Sequence, residues 1–247
     1  MCYDDDSSPP IEVIDGGVGG HGDLVLKAAD GNEFAAFSAT SSQGKGPGVV
    51  ILPDVRGLHR FYEQLALRFA ENGYDSVAID YFGRTAGVGK RRDAFPYADH
   101  VPLTTVEGVT ADTAAAISHL RAADPRRPIF TVGFCFGGSN SWLQAAAGHG
   151  LSGAIGFYGN PKRPPVGPIE RVDEIECPVL GLMAGDDPGI PVEVVDEFRS
   201  ALDNAGKENE IIVYAGAPHS FFDRKQEEFA DASADAWRRV LDFIESR

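Results

Sequence analysis

The sequence is poor in basic residues and in long apolar stretches. Its 247 residues hold 22 Lys and Arg against 37 Asp and Glu, which gives a formal charge of -15 at pH 7. Such a surface repels nucleic-acid phosphates and anionic membranes, so we expect neither as a partner. There is no run of about 18 apolar residues, and the N-terminus MCYDDDSSPP is acidic where a signal peptide needs a basic start. The sequence therefore predicts a cytoplasmic protein.

Cysteine is also scarce. Cys2, Cys135 and Cys177 are odd in number and show no C-x-x-C spacing. These features argue against a disulfide framework and against a zinc site. We expect no metal and no other cofactor. Cys135 can then carry a free thiol.

What the sequence does contain is an alternation of apolar runs and helical patterns. The runs are short, nearly continuous and rich in Val and Ile, which is typical of strands covered on both faces. They span residues 48–54, 75–80, 128–134, 153–159, 178–185 and 210–216. Segments with helical spacing lie between them, so the sequence predicts an α/β fold with a mostly parallel sheet and helices on both faces.

The domain organisation follows from length and from the remaining segments. A chain of 247 residues suits one α/β domain, which we place at residues 22–247 after a loosely ordered tail over 1–21. Alternating residues on both sides of DGN (30–32) predict an antiparallel hairpin at a sheet edge. Two long loops rich in Gly, Pro and charge cover residues 83–104 and 160–176, and loops of this length at strand ends tend to be functional.

The segment VGFCFGGSNSW places Cys135 between a predicted strand and a predicted helix. Its spacing, G-x-C-x-G, matches the nucleophile elbow of hydrolases with sulfur in place of oxygen. Gly133 and Gly137 provide the small residues that such a tight turn requires. A helix N-terminus favours the thiolate, and the backbone N–H of Phe136 would point at a developing oxyanion. The alternative is a buried, unreactive cysteine.

Two further side-chain types follow later strands in the order that this chemistry needs. Asp186 and Asp187 come just after the run at 178–185, and His219 comes just after the last run. A histidine there can take the thiol proton, while a carboxylate orients the imidazole. Among the six histidines only His219 has this placement.

With these motifs the chain resembles the dienelactone hydrolases, the carboxymethylenebutenolidase branch of the α/β-hydrolases, from about residue 22 to its end. The family's G-F-C-x-G-G matches Gly133–Gly138, and its His-Ser-Phe matches His219 to Phe221. Its G-x-D-x-x-x-P maps onto Gly185, Asp187 and Pro191, which selects Asp187 over Asp186. The resemblance implies an α/β-hydrolase fold with a central sheet of about eight strands.

The resemblance also implies further site residues. Asp54 matches an acidic residue near the thiol, where many members have glutamate, and the amide of Val55 would be the second oxyanion donor. Arg84 matches an arginine that grips the substrate carboxylate. A second family arginine falls where this chain has Asp223, with Arg224 one residue further. Tyr158 resembles an aromatic wall of the pocket, or else packs at a strand end.

The predicted activity is hydrolysis of a small enol-lactone or activated ester through Cys135, His219 and Asp187, with an acyl-enzyme intermediate. A broader carboxylesterase or thioesterase is the first alternative, favoured by the displaced arginine. A non-catalytic binding protein on the same scaffold is the second. We expect a monomer or a homodimer.

Overall fold

The computed structural model describes residue 4 and residues 6–44, 46–92 and 95–247. Its chain divides into two compact units, here called the N-terminal and the C-terminal unit. The N-terminal unit is Glu12–Ile129; the C-terminal unit is Phe130–Arg247 with the described residues up to Ile11. The single domain over 22–247 and the tail over 1–21 stay predictions.

The N-terminal unit contains the predicted hairpin and the first parallel strands. Strand β1 (Val18–Lys27) pairs antiparallel with β2 (Glu33–Ser41), which confirms the hairpin. Strand β3 (Gly48–Leu52) runs parallel to β4 (Asp75–Ile79), and β2 pairs antiparallel with β4. The helices of this unit are α1 (Arg60–Glu71), α2 (Gly83–Ala86), α3 (Tyr97–His100) and α4 (Val106–Leu120).

The C-terminal unit is built on parallel strands that neighbour each other in chain order, β5 to β8. Their bounds are β5 (Ile129–Phe134), β6 (Gly153–Phe157), β7 (Val179–Asp186) and β8 (Asn209–Pro218). The helices are α5 (Phe136–Ala145), α6 (Val192–Asn204) and α7 (Ala230–Glu245). Each of the six predicted apolar runs therefore contains a strand, and each predicted helical segment contains a helix.

Trp142 fixes α5 against the strands of the C-terminal unit. Its side chain is fully buried, and its Nε1–H donates to the carbonyl of Leu180 over 3.1 Å. Gly156 leaves the space that the indole occupies, since a Cβ at this glycine would lie 2.4 Å from Trp142 Cε2. Phe198 of α6 packs on the same indole, with ring centroids 5.0 Å apart. This packing holds α5, which begins directly after Cys135, against strands β6 and β7.

The two long loops contain short helical turns. Residues 83–104 include α2, α3 and a 3₁₀ turn at Val101–Leu103, while residues 93 and 94 lie outside the described residues. Arg91 anchors this loop, because its guanidinium donates to both oxygens of the buried Asp80. The second loop contains a 3₁₀ helix at Pro168–Glu174.

In the part of the chain that the structure describes, none of the helices has both the length and the apolar composition needed to cross a bilayer.

Replacing Gly156 by alanine tests the packing of α5. The new methyl group would overlap the indole of Trp142, whose hydrogen bond to Leu180 opposes any shift. We expect the free energy of unfolding to fall by about 1 to 3 kcal/mol, the usual cost of overpacking a dense core. Urea denaturation followed by tryptophan fluorescence measures this loss.

The matched control is Gly22→Ala in β1, where no atom lies within 4 Å of the added Cβ. This change should be neutral or stabilising by up to about 1 kcal/mol. Equal effects of the two substitutions would contradict the packing of Trp142 described above.

Candidate active site

Cys135 lies in a strained turn between β5 and α5. Its backbone has φ 53° and ψ -113°, a left-handed conformation that side chains other than glycine rarely adopt. A Cβ at Gly133 would lie 1.9 Å from the carbonyl oxygen of Gly137, so this position requires glycine. The amide of Cys135 donates to the carbonyl of Phe157 over 3.0 Å, and its own carbonyl accepts from the amide of Gly138. The turn predicted from G-x-C-x-G is therefore present.

The first helical residue after this turn is Phe136, so Cys135 precedes the N-terminus of α5. The thiol is partly exposed. Val55 lies in the turn after β3, in the N-terminal unit. The oxyanion roles of Phe136 and Val55 stay predictions.

His219 and Asp187 are in direct contact. The distance from His219 Nδ1 to Asp187 Oδ2 is 2.6 Å, which is short for a nitrogen–oxygen hydrogen bond. The other carboxylate oxygen of Asp187 accepts from the amide of Gly189 over 2.9 Å. Asp187 is 9% exposed, whereas its neighbour Asp186 is exposed. The aspartate that reaches His219 is thus the one selected from the family pattern.

The contact also sets the ionisation of Asp187. Burial by itself would raise the pKa of this carboxyl, but hydrogen bonds from His219 and from the amides of Gly189 and Ile190 outweigh burial. The pKa of Asp187 is therefore held below its ordinary value. An ionised Asp187 accepts the Nδ1 proton of His219 and leaves Nε2 available for proton transfer.

The pairing of the strands brings these residues to one edge of the sheet in the C-terminal unit. Phe134 of β5 lies opposite Phe157 of β6, and Phe157 lies opposite Leu182 of β7. Asp186, the last residue of β7, lies opposite Pro218, the last residue of β8. The residues that follow these strand ends are Cys135, Tyr158, Asp187 and His219. Ligands in open α/β sheets bind at this carboxyl edge.

Tyr158 packs directly on the candidate histidine. Its ring centroid lies 4.9 Å from that of His219 and 5.6 Å from that of Phe221, and its side chain is fully buried. Tyr158 therefore packs against the imidazole of His219. Its predicted contact with substrate stays a prediction.

Backbone strain is concentrated at this edge. In the described part of the chain, the non-glycine residues with positive φ are Cys135, Tyr158 (35°) and Ser220 (64°). Each follows the end of a strand in the C-terminal unit, and Ser220 directly follows His219. Strained residues of this kind cluster at functional sites, where the surrounding structure holds them in place.

Asp54 is fully buried in the N-terminal unit and is paired with Arg56. The guanidinium of Arg56 donates to both carboxylate oxygens, with Nη2 2.9 Å from Oδ2. The amide of Asp54 donates to the hydroxyl of Tyr62 over 3.0 Å. The predicted role of Asp54 near the thiol or the substrate is not tested by these contacts.

Arg84 and Arg224, predicted to bind substrate, both hold other parts of the chain. Arg84 makes four N–H···O bonds to the carboxylates of Asp30 and Asp112. Arg224 donates through Nη2 to the carbonyl of Ile11, and its amide donates to the carbonyl of Ser8. Both predicted roles stay predictions. The contacts of Arg84 do not favour its role, because all three guanidinium nitrogens already donate to carboxylates.

A cation that the sequence motifs did not reveal lies on the ring of Phe136, the residue that follows the candidate nucleophile in the chain. The guanidinium carbon of Arg163 is 4.2 Å from the centroid of the Phe136 ring. Arg163 belongs to the loop 160–176, whose length and composition were the available signal. Nothing in the spacing of its residues singles out Arg163.

The other cysteines and the acidic side chains were considered as further reactive or metal-binding groups. Burial, together with the charge of Glu176, raises the pKa of Cys177 to about 12. Cys2 lies outside the described residues. Within the described ranges, no cluster of three or more His, Cys, Asp or Glu side chains is arranged to hold a metal ion.

A parallel sheet that carries a strained nucleophile elbow and an Asp–His pair at its carboxyl edge defines an α/β-hydrolase. Comparison with known proteins agrees with this class. One similar crystal structure is that of a "Putative Dienelactone Hydrolase" from Klebsiella pneumoniae subsp. pneumoniae MGH 78578. It superposes with a TM-score of 0.79 at 26% identity, and the match covers 92% of this chain and 100% of that protein's chain. A dienelactone hydrolase-like phosphotriesterase from metagenomic libraries shares the fold, with a TM-score of 0.75 at 21% identity, covering 92% and 99%.

The family can be stated more narrowly. The model of the dienelactone hydrolase family matches residues 34–247. The carboxymethylenebutenolidase of Rhodococcus opacus is 30% identical over 99% of this chain and 96% of its own length. The chain belongs to the dienelactone hydrolase family and is a hydrolase of that type. The predicted α/β-hydrolase fold, a mostly parallel sheet of about eight strands with helices, is confirmed.

Substituting Asp187 by asparagine tests the carboxylate–imidazole contact through stability. The depressed pKa means that ionised Asp187 stabilises the folded protein above the ordinary carboxyl pKa of 3.8, and that this contribution is lost as the pH falls through the lower folded value. The variant should be less stable by about 1 to 2 kcal/mol at neutral pH. The difference should shrink below pH 3.8.

Urea denaturation over a series of pH values measures this dependence. Asp186→Asn is the control, because Asp186 is exposed and lies one residue away. A gap between wild type and Asp187→Asn that stays constant in acid would argue against a stabilising ionised carboxylate.

Alkylation of the native protein compares the two described cysteines. In a Cys2→Ser background at neutral pH, iodoacetamide should modify Cys135 at least about tenfold faster than Cys177. The reason is that Cys135 is partly exposed before a helix N-terminus, whereas Cys177 is buried with a pKa of about 12. Peptide mass spectrometry over time gives both rates. Equal rates would count against a reactive thiol at the elbow.

Proposed function

We propose that the protein hydrolyses an enol-lactone or an activated carboxylic ester through a Cys135–His219–Asp187 triad and an acyl-enzyme. The observation that carries this proposal is the 2.6 Å contact between His219 and Asp187 at the same sheet edge as the strained Cys135. The substrate would be a small molecule, and the protein would act in the cytoplasm as a monomer or homodimer, without a metal or organic cofactor.

In the acylation step, the proton of Cys135 Sγ passes to His219 Nε2. The thiolate attacks the substrate carbonyl, a C–S bond forms, and the carbonyl oxygen takes the negative charge. The amides of Phe136 and Val55 would stabilise that oxyanion. When the intermediate collapses, the carbon–oxygen bond of the ester breaks, and the leaving oxygen receives the proton from His219.

Deacylation reverses these roles. His219 removes a proton from water, and the hydroxide attacks the thioester carbonyl. The C–S bond then breaks, the carboxylic acid leaves, and His219 returns the proton to Sγ. Asp187 holds Nδ1 protonated throughout and stabilises the imidazolium, which keeps Nε2 directed to the proton transfers. Tyr158, packed 4.9 Å from the imidazole, restricts the ring to this orientation.

A sulfur nucleophile restricts the leaving group. Thiolate is a better leaving group than an alkoxide, so an intermediate formed from an ordinary alkyl ester returns to substrate. Enol-lactones and aryl esters release stabilised oxyanions and proceed to the thioester. For this reason activated esters and enol-lactones suit Cys135 better than alkyl esters do.

A broader carboxylesterase or thioesterase is the second candidate. The engagement of Arg84 by Asp30 and Asp112 supports it, because an arginine held by two carboxylates does not readily select a dianionic substrate. Turnover of a dienelactone compared with turnover of acyl p-nitrophenyl esters separates the two activities. A binding protein on this scaffold would turn over neither.

The triad is tested with Cys135→Ala and His219→Ala. Each variant should lower kcat/KM for p-nitrophenyl acetate or a dienelactone by at least about 10³-fold, because the nucleophile or its base is lost. Steady-state absorbance assays measure the rates, and circular dichroism checks that the variants fold.

Cys177→Ala and His149→Ala are matched controls of the same residue types outside the proposed machinery, and they should stay within about twofold of wild type. Unchanged rates in Cys135→Ala or His219→Ala would overturn the triad.

A further inference from the structure

His219 lies in a four-residue turn at the end of β8. The amide of Phe221 donates to the carbonyl of Pro218 over 3.2 Å, so His219 and Ser220 are the two central residues of the turn. Ser220 has φ 64°. A positive φ at the third residue of a turn favours glycine, and a residue with a side chain is strained there. The turn that carries the candidate base therefore depends on contacts outside itself.

The residues after this turn are held by burial and by α7. Phe221 and Phe222 are fully buried, and Asp223 is buried as well. The carbonyl of Phe221 accepts from the hydroxyl of Ser233 on α7 over 3.1 Å. The same carbonyl accepts from the amide of Asp223 over 2.9 Å. These contacts fix the backbone up to four residues after His219.

An N-terminal strap, residues 6–11, lies against the end of this stretch. The amide of Ser8 donates to Oδ1 of Asp223 over 3.3 Å, and the carbonyl of Ser8 accepts from the amide of Arg224 over 3.0 Å. Both polar backbone groups of Ser8 are thus bound to two consecutive residues. The guanidinium of Arg224 donates to the carbonyl of Ile11 over 3.0 Å. The strap and the loop after β8 therefore hold each other in place.

The strap is anchored mainly by its own buried side chains. Ser7, Pro9 and Ile11 are buried in the C-terminal unit. The exposed carboxylate of Asp6 accepts from the ammonium of Lys225 over 2.6 Å. Since an exposed ion pair contributes little, the buried side chains and the backbone hydrogen bonds account for most of the attachment.

Asp223 joins the strap to the loop that follows His219. Its Oδ1 accepts from the amide of Lys225 over 3.2 Å as well as from Ser8, so one oxygen binds the backbone of both segments. Asp223 lies where the family pattern has its second arginine, and here an acid at that position binds backbone amides. A displacement of about 1 Å caused by a distant change can cost about 100-fold in rate.

We propose that Asp223 is a positioning residue, which binds the N-terminal strap and thereby holds the strained turn that keeps His219 in contact with Asp187. This inference rests on the proposed function, in which His219 transfers the proton in both steps. It gives the strap a part in turnover, although the strap precedes the reactive residues by more than a hundred positions in the sequence.

Two pairs of substitutions in the full chain test the proposal with p-nitrophenyl acetate. Asp223→Ala should lower kcat about tenfold or more and leave KM within about twofold, because His219 acts in both acylation and deacylation. Asp223→Asn keeps an oxygen that accepts from the Ser8 amide, so its kcat should stay within about twofold of wild type. Ser8→Pro removes the amide hydrogen and should resemble Asp223→Ala. Ser8→Ala keeps that hydrogen and is the matched control, which should resemble wild type.

Combining Ser8→Pro with Asp223→Ala tests whether the two groups act as one. The double variant should have a kcat close to that of either single variant, whereas independent losses would multiply to about 100-fold. Circular dichroism at the assay temperature checks that each variant is folded, and the two Asp223 variants decide the question if Ser8→Pro is not. An unchanged kcat in Asp223→Ala, an equal loss in Asp223→Asn, or losses that multiply would each overturn the proposal.

The imidazole proton separates this inference from the proposed function. A proton held in the short hydrogen bond between His219 Nδ1 and Asp187 gives a far-downfield NMR signal, which His219→Ala identifies by its absence. The signal should be lost to exchange with water in Asp223→Ala and kept in Asp223→Asn. An inactive wild-type protein whose signal responds in this way would refute the proposed function alone. A signal of equal strength in Asp223→Ala and wild type would refute positioning through the strap.

Discussion

The left-handed backbone at Cys135 is a constraint that the surrounding structure has to maintain. Such a conformation costs about 1 to 3 kcal/mol in a residue with a side chain. The amide of Cys135 donates to the carbonyl of Phe157, and Gly133 has no Cβ that would clash with the carbonyl of Gly137. The buried side chain of Trp142 packs α5 against the sheet. The surrounding contacts thus maintain the strained turn, and the partly exposed thiol lies at the start of a helix.

The partners of the thiol depend on the same parallel strands. Because β5 to β8 are neighbours in chain order, residues far apart in sequence follow strand ends at one edge. His219 and Asp187 meet there, 32 residues apart, and Tyr158 packs on the imidazole. The further strain at Tyr158 and Ser220 shows that the same edge fixes the backbone around the histidine.

The sequence was sufficient where the signal is local. Apolar runs without alternation identify buried parallel strands, and the two small residues around Cys135 identify the elbow, because both patterns are imposed by packing within a few residues. The order of acid and histidine after later strands is likewise readable along the chain. The family pattern chose Asp187 over Asp186, and it is Asp187 that contacts His219.

Long-range polar contacts could not be predicted in this way. Arg84 is paired with Asp30 and Asp112, 54 and 28 residues away, and Arg224 is bonded to Ile11, 213 residues away. Such partners leave no periodic pattern in the sequence. A match to a family motif position therefore could not predict which groups each guanidinium contacts. The contact of Arg163 with Phe136 could not be predicted either, because it depends on a loop whose backbone is held by Asn160 and Gly167.

The central claim is that the sulfur at the strained corner becomes covalently acylated during turnover. Acid quenching of the protein as it turns over p-nitrophenyl acetate, followed by peptide mass spectrometry, tests this most directly. The account predicts the mass of one acetyl group on the peptide that contains Cys135, and its accumulation when deacylation is slowed. Turnover with an unmodified Cys135 peptide at every quench time, or acetylation confined to another residue, would contradict it.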